Sequence, residues 1–169
     1  ECARFKNAIA ISEQQIASLK SQLRSAGDEH YLILDAHRLM LQDEMLLDGT
    51  EKLIREHALN AEWALQKVLR SIKQVFDNID DEYFRERRSD IDFVGERIQR
   101  NLLGKDQPTL ANVAPNSIVI AHDLSPADTA QLLNSSVIGF VTEVGGRTSH
   151  TAIMARSLEL PAVVAVDGL

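Results

Sequence analysis

A chain of 169 residues with 44% hydrophobic and 25% charged side chains has the composition of an ordinary soluble domain, long enough to bury a proper core. A net charge of −7 repels a polyanion and suits a basic partner surface, and only 5% aromatic residues argues against a stacking platform for single-stranded nucleic acid. A lone Cys2 allows no internal disulfide, so a reducing cytoplasm is the default, while no apolar run is long enough for a bilayer and no signal-peptide pattern opens the chain.

Up to about Gly104 the pattern is helical. Phe5, Ile9, Ile16, Leu19 and Leu23 keep one face of a first helix, which Gly27 can end. A second helix is expected from near Asp28 to Leu47, broken or kinked at Asp48-Gly49-Thr50 before a short continuation towards His57. Asn60 reads as the N-cap of a third, with Ala64, Leu65, Val68, Ile72 and Phe76 turned inward. The last helix runs from about Asp80 to Leu103, with Ile91, Val94, Ile98 and Leu102 as its stripe and Gly104 as its C-cap. About four antiparallel helices make a bundle.

The second helix carries more apolar surface than a bundle needs. At 100° per residue Ile33, Ala36, Met40 and Leu47 share a face, flanked by Leu32, Leu39 and Leu46 on one side and Leu34, Leu41 and Met45 on the other. Either this is a central helix, or part of the surface meets another protein across an acidic rim of Asp28, Glu29, Asp43 and Glu44. His30 and His37 lie two turns apart without a completing ligand set, so polar packing is the reading there rather than zinc. His57 and His122 offer no more, although His122 sits just beyond a strand and close to a capping box.

After Gly104 the residues GKDQPTLANVAPNS read as a linker. Short β-branched runs follow, SIVIA (117–121), VIGFVT (137–142) and AVVAV (162–166), separated by helical stretches, which suggests βαβ crossovers. Ser125-Pro126-Ala127-Asp128 has the hydroxyl, proline and carboxylate of a capped helix start. The fold class expected is therefore α+β in two modules: a helical bundle over 1–104, a linker over 105–116 and an α/β module over 117–169. Both chain ends look cut, with no initiator Met before Glu1 and a turn at Asp167-Gly168, as in a piece of something longer.

GGRTSH, residues 145–150, is the densest stretch of chemistry. Gly145-Gly146 permits positive φ and close backbone approach, and Thr148 or Ser149 can cap the helix carrying Ala152, Ile153, Ala155 and Leu158. A plain turn into a capped helix explains all of that but leaves Arg147 and His150 unexplained. A helix start offers unpaired amides and a positive dipole end to a phosphoryl group, Arg147 adds a cationic fork, and a neutral His150 imidazole has a ring nitrogen able to attack phosphorus.

GGRTSHTAIMARSLELPAVV (145–164), DLSPADTAQL (123–132) and DDEYFRERRSDIDFVGERIQRNLLG (80–104) together resemble enzyme I of the phosphoenolpyruvate-dependent phosphotransferase system. The resemblance covers essentially the whole chain, with both modules in the expected order. It implies a carrier-docking bundle inserted into a swivelling phosphohistidine domain. His150 would be phosphorylated on Nε2 by phosphoenolpyruvate held in a separate C-terminal barrel, then pass the group to a histidine of the carrier HPr or a nitrogen-branch homologue. Thr129 matches the family threonine that hydrogen-bonds the active histidine, Arg147 and the amides of Gly145, Gly146, Thr148 and Ser149 would neutralise the phosphoryl oxygens, and Leu39, Met40 and Leu46 with Asp43 and Glu44 would face the carrier.

The resemblance further implies no cofactor in this piece, Mg²⁺ in the full-length enzyme, a cytoplasmic homodimer when complete and a monomer here, with neither nucleic acid nor membrane as partner. The sheet is expected to be incomplete at both ends of the chain. Two other readings stand beside it. A dikinase or synthase swivelling domain would leave the helical module without a carrier to bind. A non-catalytic regulatory or scaffolding bundle would not need an intact Gly-Gly-Arg-Thr-Ser-His run with Thr129.

Overall fold

The computed structural model describes residues 1–22, 28–77, 82–107, 110, 113–132, 135–147 and 149–169. The apolar-face position Leu23, the expected stop at Gly27, the start at Asp80 and the residue Thr148 lie outside these, as do the side chains of Asp28, Glu29 and His30. The described residues divide into two compact units, a helical one formed by Glu1–Gln22 and Tyr31–Gln107 and an α/β one built on the residues from Leu110 onward.

The helical unit holds α1 (Cys2–Gln22), α2 (Asp28–Leu41) from Tyr31 onward, α3 (Glu44–His57), α4 (Ala61–Asp77) and α5 (Glu82–Leu102). Its core is the set of stripes expected from spacing: Phe5, Ile9 and Ile16 of α1, Ala64, Leu65 and Val68 of α4, and Ile91, Val94, Ile98 and Leu102 of α5 are all buried. Each such aliphatic or aromatic side chain contributes roughly 1.5–3 kcal/mol on leaving water. Polar bonds fix the register of the helices. Asn101 donates to the buried Ser12 hydroxyl at 2.8 Å and accepts from Gln15 at 3.0 Å, so α5 is keyed to α1. Asn60 caps α4 by accepting from the Trp63 amide, and the Glu1 carboxylate accepts from the Ala61 amide at 2.8 Å. Gly104, at φ +64, ends α5 in the left-handed conformation expected of it.

The expected single helix to Leu47 is two helices, and the break lies at Gln42-Asp43 rather than at Asp48-Gly49-Thr50. Asp43 takes extended backbone angles and its carboxylate accepts from the amides of Met45 and Leu46, which starts a new helix there. Gly49 stays helical inside α3 and faces Val68 of α4, where an added Cβ would make an ordinary 3.4 Å contact with the valine methyl. Thr50 is buried beside it and returns its hydroxyl proton to the Leu46 carbonyl. The break resets the helical phase. Leu34 and Leu41 of α2 are buried, Leu32 and Leu39 point outward, and on α3 it is Leu46 that turns in and Met45 that turns out.

The α/β unit contains β1 (Ile118–Ala121), α6 (Pro126–Leu132), β2 (Gly139–Thr142), α7 (His150–Ser157) and β3 (Ala162–Val163). The strands are all parallel in the order β1-β2-β3, with Ala121 opposite Thr142 and Val141 opposite Val163. Leu124, Leu132, Val137, Phe140 and Ala155 make the core beneath. Gly139 allows β2 to meet the following segment closely, since a Cβ there would stand 2.8 Å from the Pro161 carbonyl oxygen. β3 is shorter than the β-branched run suggests because Ala165 adopts φ 60, which no strand sustains; the Val166 amide still bonds to Thr142.

Replacing Ile98 with Ala should cost about 2–5 kcal/mol through the cavity left behind, whereas Leu39→Ala, 69% exposed, should stay within about 0.5 kcal/mol. Denaturant unfolding of the two variants, followed by far-UV circular dichroism, checks the contrast.

Candidate functional site

Parallel pairing sends the ends of β1 and β2 out at the same edge of the sheet, where ligands of open α/β folds bind. His122, Asp123 and Leu124 leave β1 there, and Glu143, Val144, Gly145 and Gly146 leave β2. Backbone bonds continue past the strands, from Glu143 to Ala121 and from Val144 to His122, so the two exits are held side by side. Gly145 then takes φ +114, with the Ser149 hydroxyl 3.2 Å from where its Cβ would lie. Ser149 caps α7, accepting from the Ala152 amide at 3.2 Å and donating to the Gly146 carbonyl at 2.9 Å. His150 is the first residue of α7, at the positive end of the helix.

The imidazole is half-buried, and its Nε2 donates to the Leu124 carbonyl at 2.5 Å. A carbonyl only accepts, so this geometry requires the proton on Nε2. The Thr151 hydroxyl stands 3.2 Å from the same nitrogen and donates to the same carbonyl at 3.4 Å. Thr129 is fully buried on α6 and donates to the Ser125 and Pro126 carbonyls at 3.1 Å each. Thr151, a residue sequence reasoning passed over, thus stands next to the ring. The β-branched hydroxyl directly after His150 was the available signal.

Arg147 is exposed, and its guanidinium makes no hydrogen bond or ion pair among the described residues. Its carbonyl receives the Arg156 guanidinium, which ties the glycine turn to the far end of α7. Gly146 faces open space. The capping box at α6 is present as expected: the Asp128 carboxylate accepts from the Ser125 amide at 2.9 Å and from its hydroxyl at 2.6 Å, and the Ser125 oxygen accepts from the Asp128 amide.

Two further charges stand at this edge. Burial pushes the Asp123 carboxyl up, while the Leu124 amide bonded to it at 2.8 Å and the neighbouring rings of His150 and His122 pull it down. His122 donates from Nδ1 to the Glu143 carboxylate at 2.5 Å, and that bond raises its pKa above the ordinary value of 6.5. Neither Asp123 nor Glu143 was singled out beforehand; the parallel pairing of β1 and β2 brings them to one edge. Among the described residues no three His, Cys, Asp or Glu side chains form a group able to hold a metal.

On the helical unit the expected partner surface is only partly present. Leu39 and Glu44 are exposed and Met40 is half-buried, but Leu46 is 2% exposed and belongs to the core, because the phase reset at Asp43 turns it inward. Leu32 and Met45 take its place on the outside. Asp43 is exposed, yet its carboxylate is engaged in capping α3. His37 is buried against Asp90 with Nε2 at 3.1 Å, which is polar packing.

Residues 1–87 match the family described as PEP-utilising enzyme, N-terminal, and residues 113–169 match PEP-utilising enzyme, mobile domain. The chain belongs to the PEP-utilising enzyme family. Within it the resemblance is to enzyme I. The chain is 42% identical over 165 residues to phosphoenolpyruvate-protein phosphotransferase of Bacillus subtilis, covering 97% of this chain and 29% of the relative. It is 46% identical over 177 residues to the protein of the same name from Cupriavidus necator, covering 99% and 30%. It therefore spans less than a third of the length of these relatives. A solution structure of enzyme I (nEIt) superposes with a TM-score of 0.81 at 41% identity, over 99% of this chain and 68% of that one. The N-terminal domain of a nitrogen-type enzyme I superposes at 0.66 with 26% identity, over 100% and 69%. The chain thus combines a helical bundle with a small α/β unit that matches the mobile-domain family, and among its described residues no helix is long and apolar enough to cross a membrane.

A histidine whose folded pKa is raised adds stability that is fully present below its unfolded pKa and is lost as pH rises through the folded one. The His122–Glu143 bond should accordingly weaken on that ascent, and Glu143→Gln should lower the His122 midpoint. An NMR titration of the His122 ring protons reads both.

Proposed function

We propose that this chain is a phosphoryl carrier of the enzyme I type, in which His150 accepts a phosphoryl group originating from phosphoenolpyruvate and passes it to a histidine of HPr or a homologous phosphocarrier. The observation that carries the reading is the setting of His150: first residue of a capped helix, behind an open glycine turn, beside an unengaged guanidinium at the carboxyl edge of a parallel sheet. The names of the relatives point the same way.

In the resting arrangement Nε2 carries a proton and is bonded to Leu124. To act as nucleophile the ring turns off that carbonyl and the proton moves through solvent to Nδ1, leaving a lone pair on Nε2. The lone pair attacks phosphorus, the bond from phosphorus to the donor breaks with its electron pair, and the group crosses in line through a loose transition state. Arg147 and the amides at the start of α7 neutralise the oxygens, so the protein's contribution is positioning and charge. Donation to the carrier runs the same steps in reverse. Thr151 and Leu124 hold the unloaded ring; Thr129 shapes α6 behind them and is the threonine that the family resemblance assigns to ring orientation.

In this reading phosphoenolpyruvate and Mg²⁺ are held by a part of the protein outside the chain, which is a homodimer when complete. Residues 1–104 form the docking module, 105–116 the linker and 117–169 the phosphohistidine module, working in the cytoplasm without nucleic acid or membrane. The docking surface is Leu32, Leu39, Met40 and Met45 with Glu44 at its edge, an apolar patch on an acidic chain that suits a basic carrier face.

His150→Ala should fold normally and take no acid-labile, base-stable label from phosphorylated HPr. Label on that variant would refute the assignment. Arg147→Gln should slow transfer about 10- to 100-fold, the worth of a lost charge-assisted bond, in rapid-quench kinetics. Leu39→Asp should weaken carrier binding at least about tenfold in calorimetry, with the fold unchanged.

A further inference from the structure

Resting on that reading, we propose that His122, clamped by Glu143, is the second cation of the phosphoryl site, and that its protonation sets how the phosphoryl group divides between His150 and the carrier. A phosphoryl dianion added to His150 needs compensating charge in a chain that already carries −7. The sequence offers Arg147 for this. The structure adds opposing charges at the same edge: Asp123, the second residue beyond β1, and Glu143, the first beyond β2. Asp123 lies within electrostatic reach of His150 and of His122, and Asp128 on α6 also acts on it. Glu143 precedes the glycine turn by two residues. Left uncovered, both carboxylates would repel the incoming group.

His122 meets both. Its Nδ1–H is bonded to the Glu143 carboxylate at 2.5 Å, Asp123 is its neighbour in the chain, and its own carbonyl is fixed by the Val144 amide. The ring is otherwise open to solvent, so protons exchange freely. His122 forms and breaks no bond to phosphorus. The N–P bond forms at Nε2 of His150 while that of the carrier histidine breaks, and His122 acts through charge alone. Protonated, it neutralises Glu143 and offsets Asp123; deprotonated, it leaves them facing the phosphoryl oxygens. By linkage, a cation that stabilises the phosphorylated state is itself held more tightly there, so phosphorylation of His150 raises the pH at which His122 titrates.

The test equilibrates the full chain with phosphorylated HPr from pH 6 to 8.5 and reads the phosphohistidine pools by ³¹P NMR. Between these limits the wild-type partition should move away from His150 by about two- to fivefold more than that of His122→Gln, the size expected of one partly screened charge. His122→Lys, with a cation that does not titrate here, should keep the low-pH partition throughout, an effect a merely structural role would not produce. In the wild type, the His122 ring protons should titrate at higher pH in the phosphorylated than in the free state, which requires no variant. Superposable pH curves for wild type and His122→Gln, or an unmoved His122 titration, overturn this inference alone. A folded wild-type chain that takes no label overturns the reading beneath it as well.

Discussion

The pairing of Ala121 with Thr142 governs the α/β unit. Because the strands run in the same direction, everything that follows β1 and everything that follows β2 must emerge together, and bonds from Glu143 and Val144 back to Ala121 and His122 prolong that alignment past the strands. A shift of one residue would exchange the two faces of β1 and carry His122 and Asp123 away from the glycine turn. The close packing at Gly139 guards this arrangement, since no side chain fits between it and Pro161. His150 is then placed by a second local device, the Ser149 cap, which decides that α7 begins there.

The two units solve different problems with the same local rules. In the helical unit, apolar stripes fix which helices meet, and a few side-chain bonds such as Asn101 to Ser12 fix how they slide. In the α/β unit the apolar core is small, and loops carry the charge. Leu124 serves both purposes: its side chain fills the core while its amide binds Asp123 and its carbonyl holds His150. A single peptide thereby couples the packing under the sheet to the state of the ring above it.

Much of this was legible in the residues. The 3.6-residue spacing placed the core faces of α1, α4 and α5, Gly104 marked the end of the bundle, and Ser125 to Asp128 announced α6. The glycines, Arg147 and His150 stood out as one dense stretch, and the structure gathers them at a glycine turn and a helix start. What escaped reading has identifiable physical causes. A glycine looked like the break in the second helix, whereas an aspartate free to cap provided it, and extending one helical phase across that break misplaced Leu46. Ala165 shortened β3 by adopting a backbone angle that its side chain does not advertise. Asp123 and Glu143 depend on which loops become neighbours, a property of topology that no local pattern carries.

The buried His37–Asp90 bond gives α2 a property that its apolar residues alone would not. Leu34 and Leu41 could seat the helix at several angles about its long axis, since grease is indifferent to direction. A directional bond from the middle of α2 to α5 works as a keyway and admits one rotation, the one that leaves Leu32 and Leu39 outermost. Which face the protein shows to its surroundings is thus chosen from within, by two polar side chains that no visitor ever touches.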